Sequence, residues 1–174
     1  MSQVVVDPYS TRWPVVFDTV RDELSSALVP VEATIEHIGS TSVPGLAAKP
    51  VVDVLVGVRA LADVESRIAA LGACGYDYIR KYERELPMRR YFVKPSVSSL
   101  RIHVHAVERG SRLWREHRAF RDALRADAGL RARYQQLKLQ LAAAHADDKS
   151  AYTAAKAPFI QSVLASLADA GERD

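Results

Sequence analysis

The sequence contains a single cysteine, Cys74, in 174 residues, so an internal disulfide framework is excluded. A chain with so little cysteine suits a reducing compartment, and we expect a cytoplasmic protein. Cys74 lies between two glycines, and we interpret it as a small buried hydrophobic residue rather than as a reactive thiol.

Long apolar runs are also missing. No stretch approaches the roughly 20 apolar residues that a membrane-spanning helix needs. Residues 1–10 carry only Val4, Val5 and Val6 as an apolar segment, so neither a secretory leader nor a membrane partner is expected. Aromatic residues make up 7% of the chain and are not interleaved with basic residues, so a nucleic acid is not an expected partner. The sequence leaves the oligomeric state open.

Basic residues are unevenly spread along the chain. Residues 80–149 hold 17 of the 24 lysines and arginines but 8 of the 21 acidic residues. A basic half of this kind can steer an anionic small molecule, such as a nucleotide or a phosphorylated metabolite, toward its site. Helices with arginine-rich solvated faces give the same pattern, so charge alone leaves both interpretations open.

Hydrophobic periodicity predicts a mixed sheet flanked by helices, in the α/β (α+β) class. Steps of three and four predict a helix that begins near Ser10 or Thr11 and ends before Pro30, a second helix over residues 61–71, and a helical third over 109–174. The predicted strands are residues 33–38, 51–58, 76–80, 88–94 and 100–107, with a turn at 95–99. Residues 1–174 therefore form one domain, with the sheet core in about 1–108.

Residues 35–58 carry the strongest signal for chemistry. A strand is followed by a turn of small polar residues at a helix N-terminus, where backbone N–H groups and hydroxyls can bind phosphate. The predicted phosphate-binding residues of this turn are Gly39, Ser40, Thr41 and Ser42. Asp53 then lies inside a very apolar strand, where an unpaired charge is costly. We expect Asp53 to be paired, to bind a metal, or to face solvent.

Alternation along the strand 100–107 puts Arg101, His103 and His105 on one face. Two histidines at this spacing can share a metal ion, or act as acid–base and phosphate-binding groups. The polar face of a solvent-exposed strand gives the same pattern. Because Asp53 is predicted on a neighbouring strand, we interpret Asp53, His103 and His105 as catalytic residues and as candidate metal ligands.

The remaining histidines receive different interpretations. His37 comes directly before the Gly39 turn, and it either joins the candidate metal ligands or supports the turn. His117 falls on the apolar stripe of a predicted helix, and His145 falls in a predicted loop. We assign both of these to structure.

Further basic and aromatic residues are candidate ligands of a phosphate group. Only one of Arg89 and Arg90 can face the histidines, and Arg90 is the predicted ligand. Lys49 precedes the second strand and could pair with phosphate or with the strand carboxylate. Tyr152 and Lys156 are four residues apart, so they share one helix face. A lysine in an apolar stripe can also simply extend to solvent.

The segment HIGSTSVPGL at residues 37–46, followed by KPVVD at 49–53, resembles the signature of the GrpB family of bacterial proteins. The resemblance continues through residues 89–92, 103–105, 114–124 and 152–160, so it covers nearly the whole chain. The family is placed in the nucleotidyltransferase superfamily, with a polymerase-beta-like fold. The resemblance therefore implies a nucleotidyltransferase-like mixed sheet and a nucleotide as substrate or ligand.

The superfamily pattern implies a Gly-Ser turn followed by two carboxylates one residue apart, which hold Mg²⁺ during phosphoryl transfer. Gly39 and Asp53 match this pattern, whereas Leu55 stands at the place of the second carboxylate. One aspartate with histidines suits Zn²⁺ or Mn²⁺ better than Mg²⁺, and the divalent cofactor is left open among these three.

Three functions follow from these residues. The first is a nucleotidyltransferase-like enzyme that acts on a nucleotide or a phosphorylated small molecule, with its phosphate at the Gly39–Ser40 turn. The second is a non-catalytic module that binds such a ligand, which Leu55 favours. The third is a metal-dependent enzyme of another class that uses Asp53 with His103 and His105.

Overall fold

Five strands form one mixed sheet in the order β1-β2-β5-β4-β3. The computed structural model describes residues 4–171. The strands are β1 (Thr34–Ile38), β2 (Val51–Val58), β3 (Asp77–Tyr78), β4 (Arg89–Val97) and β5 (Leu100–Glu108). β2 runs parallel to β5, and the other neighbouring pairs are antiparallel. The predicted α/β class with a mixed sheet is confirmed.

Seven helices pack on the two faces of this sheet within the described residues. They are α1 (Arg12–Leu28), α2 (Leu61–Glu65), α3 (Ile68–Ala73), α4 (Arg112–Ala126), α5 (Ala128–Ala144), α6 (Lys149–Ala155) and α7 (Ala157–Gly171). Helices α1 to α3 cover one face, and α4 covers the other, with α5 to α7 packed beside it. Between residues 4 and 171 no helix is both long and apolar enough to cross a membrane.

The main core lies between α1 and the sheet. Trp13, Phe17, Val20 and Leu24 recur at helical spacing and are buried, and α1 ends at Leu28, two residues before Pro30. The even-numbered residues of β2 alternate toward this helix and are almost fully buried. Residues 53 and 55 consequently face the opposite side, under α4.

The core beneath α4 is much smaller. Ile38, Leu55, Val107 and Trp114 form it, and the Ser111 hydroxyl caps α4 by accepting a hydrogen bond from the Trp114 backbone N–H at 3.3 Å. A second buried cluster on this side consists of Val43, Leu46, Leu124 and Tyr134. Residues of both clusters line the cavity described below.

Two local predictions differ from the structure. The helix predicted over residues 61–71 is divided into α2 and α3. The turn predicted at 95–99 is tighter, because Ser98 and Ser99 both take positive φ values of 49° and 68°. A register shift between Lys94 and Val97 accommodates Pro95, which has no N–H to donate to the ladder. The last helix restarts after Lys156, which leaves Pro158 in the first turn of α7.

Candidate functional site

The chain turns sharply at Gly39, directly after β1. Gly39 has φ 72° and ψ −177°, a backbone conformation that is essentially restricted to glycine. A Cβ atom at this position would lie 2.6 Å from Asp53 Oδ2 and 3.2 Å from Asp53 Cγ. The missing side chain therefore allows the turn to lie directly against the carboxylate of β2.

His37 supports this turn from the α1 side of the sheet. Its Nε2 lies 3.0 Å from Thr41 Oγ1, and the Thr41 hydroxyl donates to the Val51 carbonyl at 3.0 Å. Because the hydroxyl proton is used, His37 Nε2–H is the donor to Thr41. The His37 ring also stacks on Phe17 at 4.7 Å, and burial lowers its pKa to about 4.

The β1–β2 register explains why His37 does not join the candidate metal ligands. His37 lies opposite Val54, whose side chain belongs to the α1 core, whereas Asp53 lies opposite Ile38 on the other face. The tentative fourth ligand therefore faces away from Asp53. Of the two roles open from the sequence, the structure gives His37 the supporting one.

Arginines of α4 hold the same turn from the opposite side. Arg121 Nη1 donates to the His37 carbonyl at 3.1 Å, and Arg125 donates twice to the Ser42 carbonyl, at 3.0 and 2.8 Å. The Ser42 hydroxyl donates to the Gly39 carbonyl at 2.6 Å. Through these contacts Ser42, Arg121 and Arg125 are hydrogen-bonded to backbone carbonyls. They fix the turn geometry instead of meeting a ligand.

Asp53 and the two strand histidines come together as expected. In the parallel β2–β5 pair Asp53 lies opposite His103. Asp53 Oδ1 is 3.2 Å from His105 Nε2 and 3.6 Å from His103 Nδ1. Burial alone would raise the pKa of Asp53. The hydrogen bond from His105 and the charges of His105, His103 and Lys156 outweigh it, so the Asp53 pKa lies below its ordinary value.

Arg89, rather than Arg90, reaches the histidines. Arg89 Nη1 lies 3.3 Å from His105 Nδ1. Because a guanidinium group only donates hydrogen bonds, His105 Nδ1 is the acceptor here. The ring proton of His105 is therefore on Nε2, which donates it to Asp53. Arg90 lies opposite Ala106 on the α1 side and pairs with Glu65 at 2.6 Å. The sequence prediction of Arg90 as a ligand is thus corrected by strand alternation, which gives this place to Arg89.

A cavity of about 380 Å³ lies above Asp53, within the size range of small-molecule sites. Its polar lining is formed by Gly39, Ser40, Asp53, His105, Glu116, His117, Arg121, Tyr134, Thr153 and Lys156. Its apolar wall is formed by Ile38, Leu113, Phe120, Leu124, Ile160 and Leu164. Tyr134 of α5 lines the cavity together with Ser40, so α5 also borders the turn. The cavity therefore joins the turn, the β2 carboxylate and α4 to α7.

His117 is a site residue that sequence reasoning missed. Its ring centre lies 5.6 Å from that of His105, and burial lowers its pKa to about 4, with the nearby His105 charge adding to the effect. The stripe 113, 117, 120 and 124 looked like a helix face packed in the core. The stripe does face the interior of the protein, but much of that face borders the cavity.

These histidines give the protein a defined sensitivity to acid. His37, His103 and His117 each have a folded-state pKa of about 4, below the unfolded value of 6.5. Between these pH values the unfolded chain binds the additional protons, so we expect stability present above pH 6.5 to be lost toward pH 4. The slope is up to about 1.4 kcal/mol per pH unit for each histidine.

Urea unfolding across this pH window measures the slope. His117→Gln removes one of the three titrating groups. The slope of its free energy of unfolding against pH should therefore be smaller than that of the wild type, by up to the contribution of one proton. A wild-type profile without slope in this window would contradict the assignment, and so would an unchanged slope in the variant.

The lysines and the tyrosine predicted as ligands lie together at the edge of the cavity, and Lys156 is the one of them that lines it. Lys49 Nζ lies 4.9 Å and Lys156 Nζ 4.6 Å from the ring centre of Tyr152, which is 1% exposed. Burial, with a contribution from Lys49, lowers the pKa of Lys156 to about 8. Arg101 is exposed at the outer end of the histidine face of β5, opposite Val51. The structure therefore brings these four residues to the same region as Asp53.

The GrpB protein family matches residues 3–166 of the sequence. The chain belongs to this family. It is 38% identical over 161 residues to a UPF0157 protein of Streptomyces coelicolor, covering 92% of this chain and 82% of that one. It is 31% identical over 166 residues to the glutamate-rich protein GrpB of Alkalihalophilus pseudofirmus, covering 93% and 94%. The UPF0157 protein YqkA of Bacillus subtilis is 37% identical over 153 residues, but the chain spans 44% of its length.

Solved structures confirm the fold. The crystal structure of conserved protein GrpB from Enterococcus faecalis superposes with a TM-score of 0.81 at 35% identity, covering 91% of this chain and 94% of that one. Cid1 in complex with the UTP analogue UMPNPP gives a TM-score of 0.56 at 16% identity, covering 86% and 48%. A cytoplasmic RNA terminal U-transferase gives 0.54 at 17%, covering 76% and 41%. The GrpB chain thus has a nucleotidyltransferase-like fold and spans less than half of these two transferases.

The residues of this GrpB chain do not fit the pair of magnesium ions that its fold implies. Leu55, at the place of the second carboxylate, is 0% exposed and packs with Val107 and Trp114. Asp53 Oδ1 already accepts from His105. Across residues 4–171 no three His, Cys, Asp or Glu side chains are arranged to hold a metal ion.

Proposed function

We propose that this GrpB protein is a nucleotidyltransferase-like enzyme that acts on a nucleotide or another phosphorylated small molecule held in the cavity. The observation that carries this proposal is the shared lining: the Gly39–Ser40 turn, Asp53 and Lys156 border one space of about 380 Å³. The turn offers backbone N–H groups and a hydroxyl to phosphate, and Lys156 offers positive charge. The opposite apolar wall suits the base of a nucleotide.

Asp53 has the reactive role in this proposal. The hydroxyl of an acceptor attacks the α-phosphorus, the bond from that phosphorus to the departing pyrophosphate breaks, and the hydroxyl proton passes to Asp53. His105 and His103 hold the carboxylate in place, and Arg101 adds positive charge at the mouth of the site.

Incubation with each ribonucleoside triphosphate and a panel of hydroxyl-bearing acceptors tests the proposal. We expect release of pyrophosphate together with a nucleotidylated product that mass spectrometry detects. Absence of binding to every triphosphate, measured by isothermal titration calorimetry, would refute both transfer and nucleotide recognition.

A second candidate function, a non-catalytic module for a phosphorylated ligand, is favoured by one observation. Leu55 is fully buried in an apolar cluster, so the second carboxylate of the superfamily pattern has no substitute at that position. Saturable binding of a triphosphate without product from any acceptor would support the module over the enzyme.

A further inference from the structure

Two lysine ammonium groups lie together where Lys156 lines the edge of the cavity. The ammonium groups of Lys49 and Lys156 contact the same tyrosine ring, at 4.9 and 4.6 Å from its centre. Within residues 4–171 neither lysine lies within ion-pair distance of an acidic side chain. Two neighbouring cations that lack a carboxylate partner repel each other, and a ligand with two or more negative charges would relieve that repulsion.

The ring between these lysines gives the pair a common contact. Tyr152 is 1% exposed and lies in α6, whose N-terminus is capped by the Asp148 carboxylate through the Ala151 N–H at 2.9 Å. Because the ring is buried, it offers both ammonium groups one surface in a defined position. Lys156 lines the cavity, and the charge of Asp53 acts on both lysines.

The carboxylate side of the same site lacks the second acidic residue that a pair of metal ions requires. The neighbouring odd-numbered position of β2 is the buried Leu55, and one oxygen of Asp53 is occupied by the His105 imidazole. A phosphate in the cavity must nevertheless meet positive charge, because its charge is costly to desolvate. Lys156 lines the cavity together with Asp53 and lies close enough for the two charges to interact, so the lysines can supply this positive charge.

We propose that Lys49 and Lys156 bind the phosphate groups of the ligand directly, without a divalent cation, in the place of the magnesium pair that two carboxylates would hold. The inference rests on the proposed function, since it names the source of positive charge in the same cavity. It specifies a ligand with at least two phosphate charges, such as a nucleoside diphosphate or triphosphate.

Isothermal titration calorimetry of the full chain with inorganic pyrophosphate tests this assignment, once with excess Mg²⁺ and once with EDTA. We expect similar affinity in both buffers. Lys49→Met and Lys156→Met keep the apolar stem and remove the charge, so each should weaken binding by about 10- to 100-fold. Lys156→Arg keeps the charge and should retain most of the affinity.

Lys81→Met is the matched control. Lys81 also lies 4.9 Å from the ring centre of a tyrosine, Tyr82, but it is exposed and outside the cavity, so its substitution should leave the affinity unchanged. Thermal unfolding without ligand shows whether each variant is folded. Any methionine variant that is unfolded is replaced in the comparison by the glutamine substitution at the same position, which also removes the charge.

The outcomes separate this inference from the proposed function. Binding that disappears in EDTA and returns with Mg²⁺ would overturn the lysine assignment while leaving the nucleotide proposal in place. Metal-independent binding that ignores both lysine substitutions would also overturn it. Failure of pyrophosphate and of every nucleoside triphosphate to bind in either buffer would overturn the inference and the proposed function together.

Discussion

Gly39→Ala is expected to destabilise the protein by about 3–5 kcal/mol and to displace Asp53. The alanine must adopt a positive φ with extended ψ, which costs on the order of 1–3 kcal/mol. Its Cβ would also lie 2.6 Å from Asp53 Oδ2. Because His105 and His103 hold this carboxylate on its other oxygen, Asp53 can move away only by giving up those contacts. The cost of the clash therefore adds to the cost of the backbone strain.

Gly45→Ala is a control within the same segment. Gly45 also has a positive φ, of 80°, but a Cβ there would meet nothing within 4 Å. We expect a loss of about 1 kcal/mol, from backbone strain alone. Urea unfolding of both variants measures the difference. Equal losses of unfolding free energy in the two variants would show that the clash with Asp53 does not contribute to the effect of Gly39→Ala.

Asp53→Asn is expected to reduce the rate of nucleotidyl transfer by about 10²- to 10⁴-fold, the range for loss of a general base. The amide oxygen can still accept a hydrogen bond from His105 Nε2–H, so the variant should fold. Removing a negative charge beside the phosphate also leaves ligand binding as tight as in the wild type, or tighter. The expected signature is a loss of turnover without a loss of affinity.

Asp18→Asn is the matched control, because Asp18 is an exposed α1 carboxylate paired with Arg21 and far from the cavity. Its turnover should equal that of the wild type. Full activity in Asp53→Asn would remove Asp53 from the reaction. Loss of both activity and binding, with a folded chain, would mean that Asp53 positions the turn instead of taking a proton.

Sequence patterns predicted the parts of this site that depend on local rules. The apolar alternation of β2 and β5 placed Asp53 beside His103 and His105, and the Gly-Ser turn was identified from residue types alone. Strand periodicity fixes which residues share a face. Once two strands are neighbours, that shared face brings their polar residues together.

The remaining parts depend on register, which no local pattern supplies. Arg90 was predicted near Asp53 and His37 was one alternative there, but the pairing of β1 with β2 and of β4 with β5 turns both toward α1. A shift of one residue would reverse each outcome. His117 required knowledge of the packing, because a helix stripe predicts an inward face without showing that the interior contains a cavity.

The arginines of α4 show why charge counts were ambiguous. The basic half could steer an anion or cover solvated helices, but Arg121 and Arg125 donate to carbonyls of the turn, and Arg121 also pairs with Glu36 and Asp122. These two side chains therefore support the turn. Lys156 lines the same cavity, and its charge is available to a ligand.

A crystal structure of the chain with a bound nucleoside triphosphate tests the central claim most directly. We predict that the phosphates lie within hydrogen-bond distance of the Gly39–Ser40 backbone and of Lys156, with the base against the wall that contains Phe120. A nucleotide bound elsewhere on the surface, or phosphates directed away from the turn and Asp53, would contradict the account.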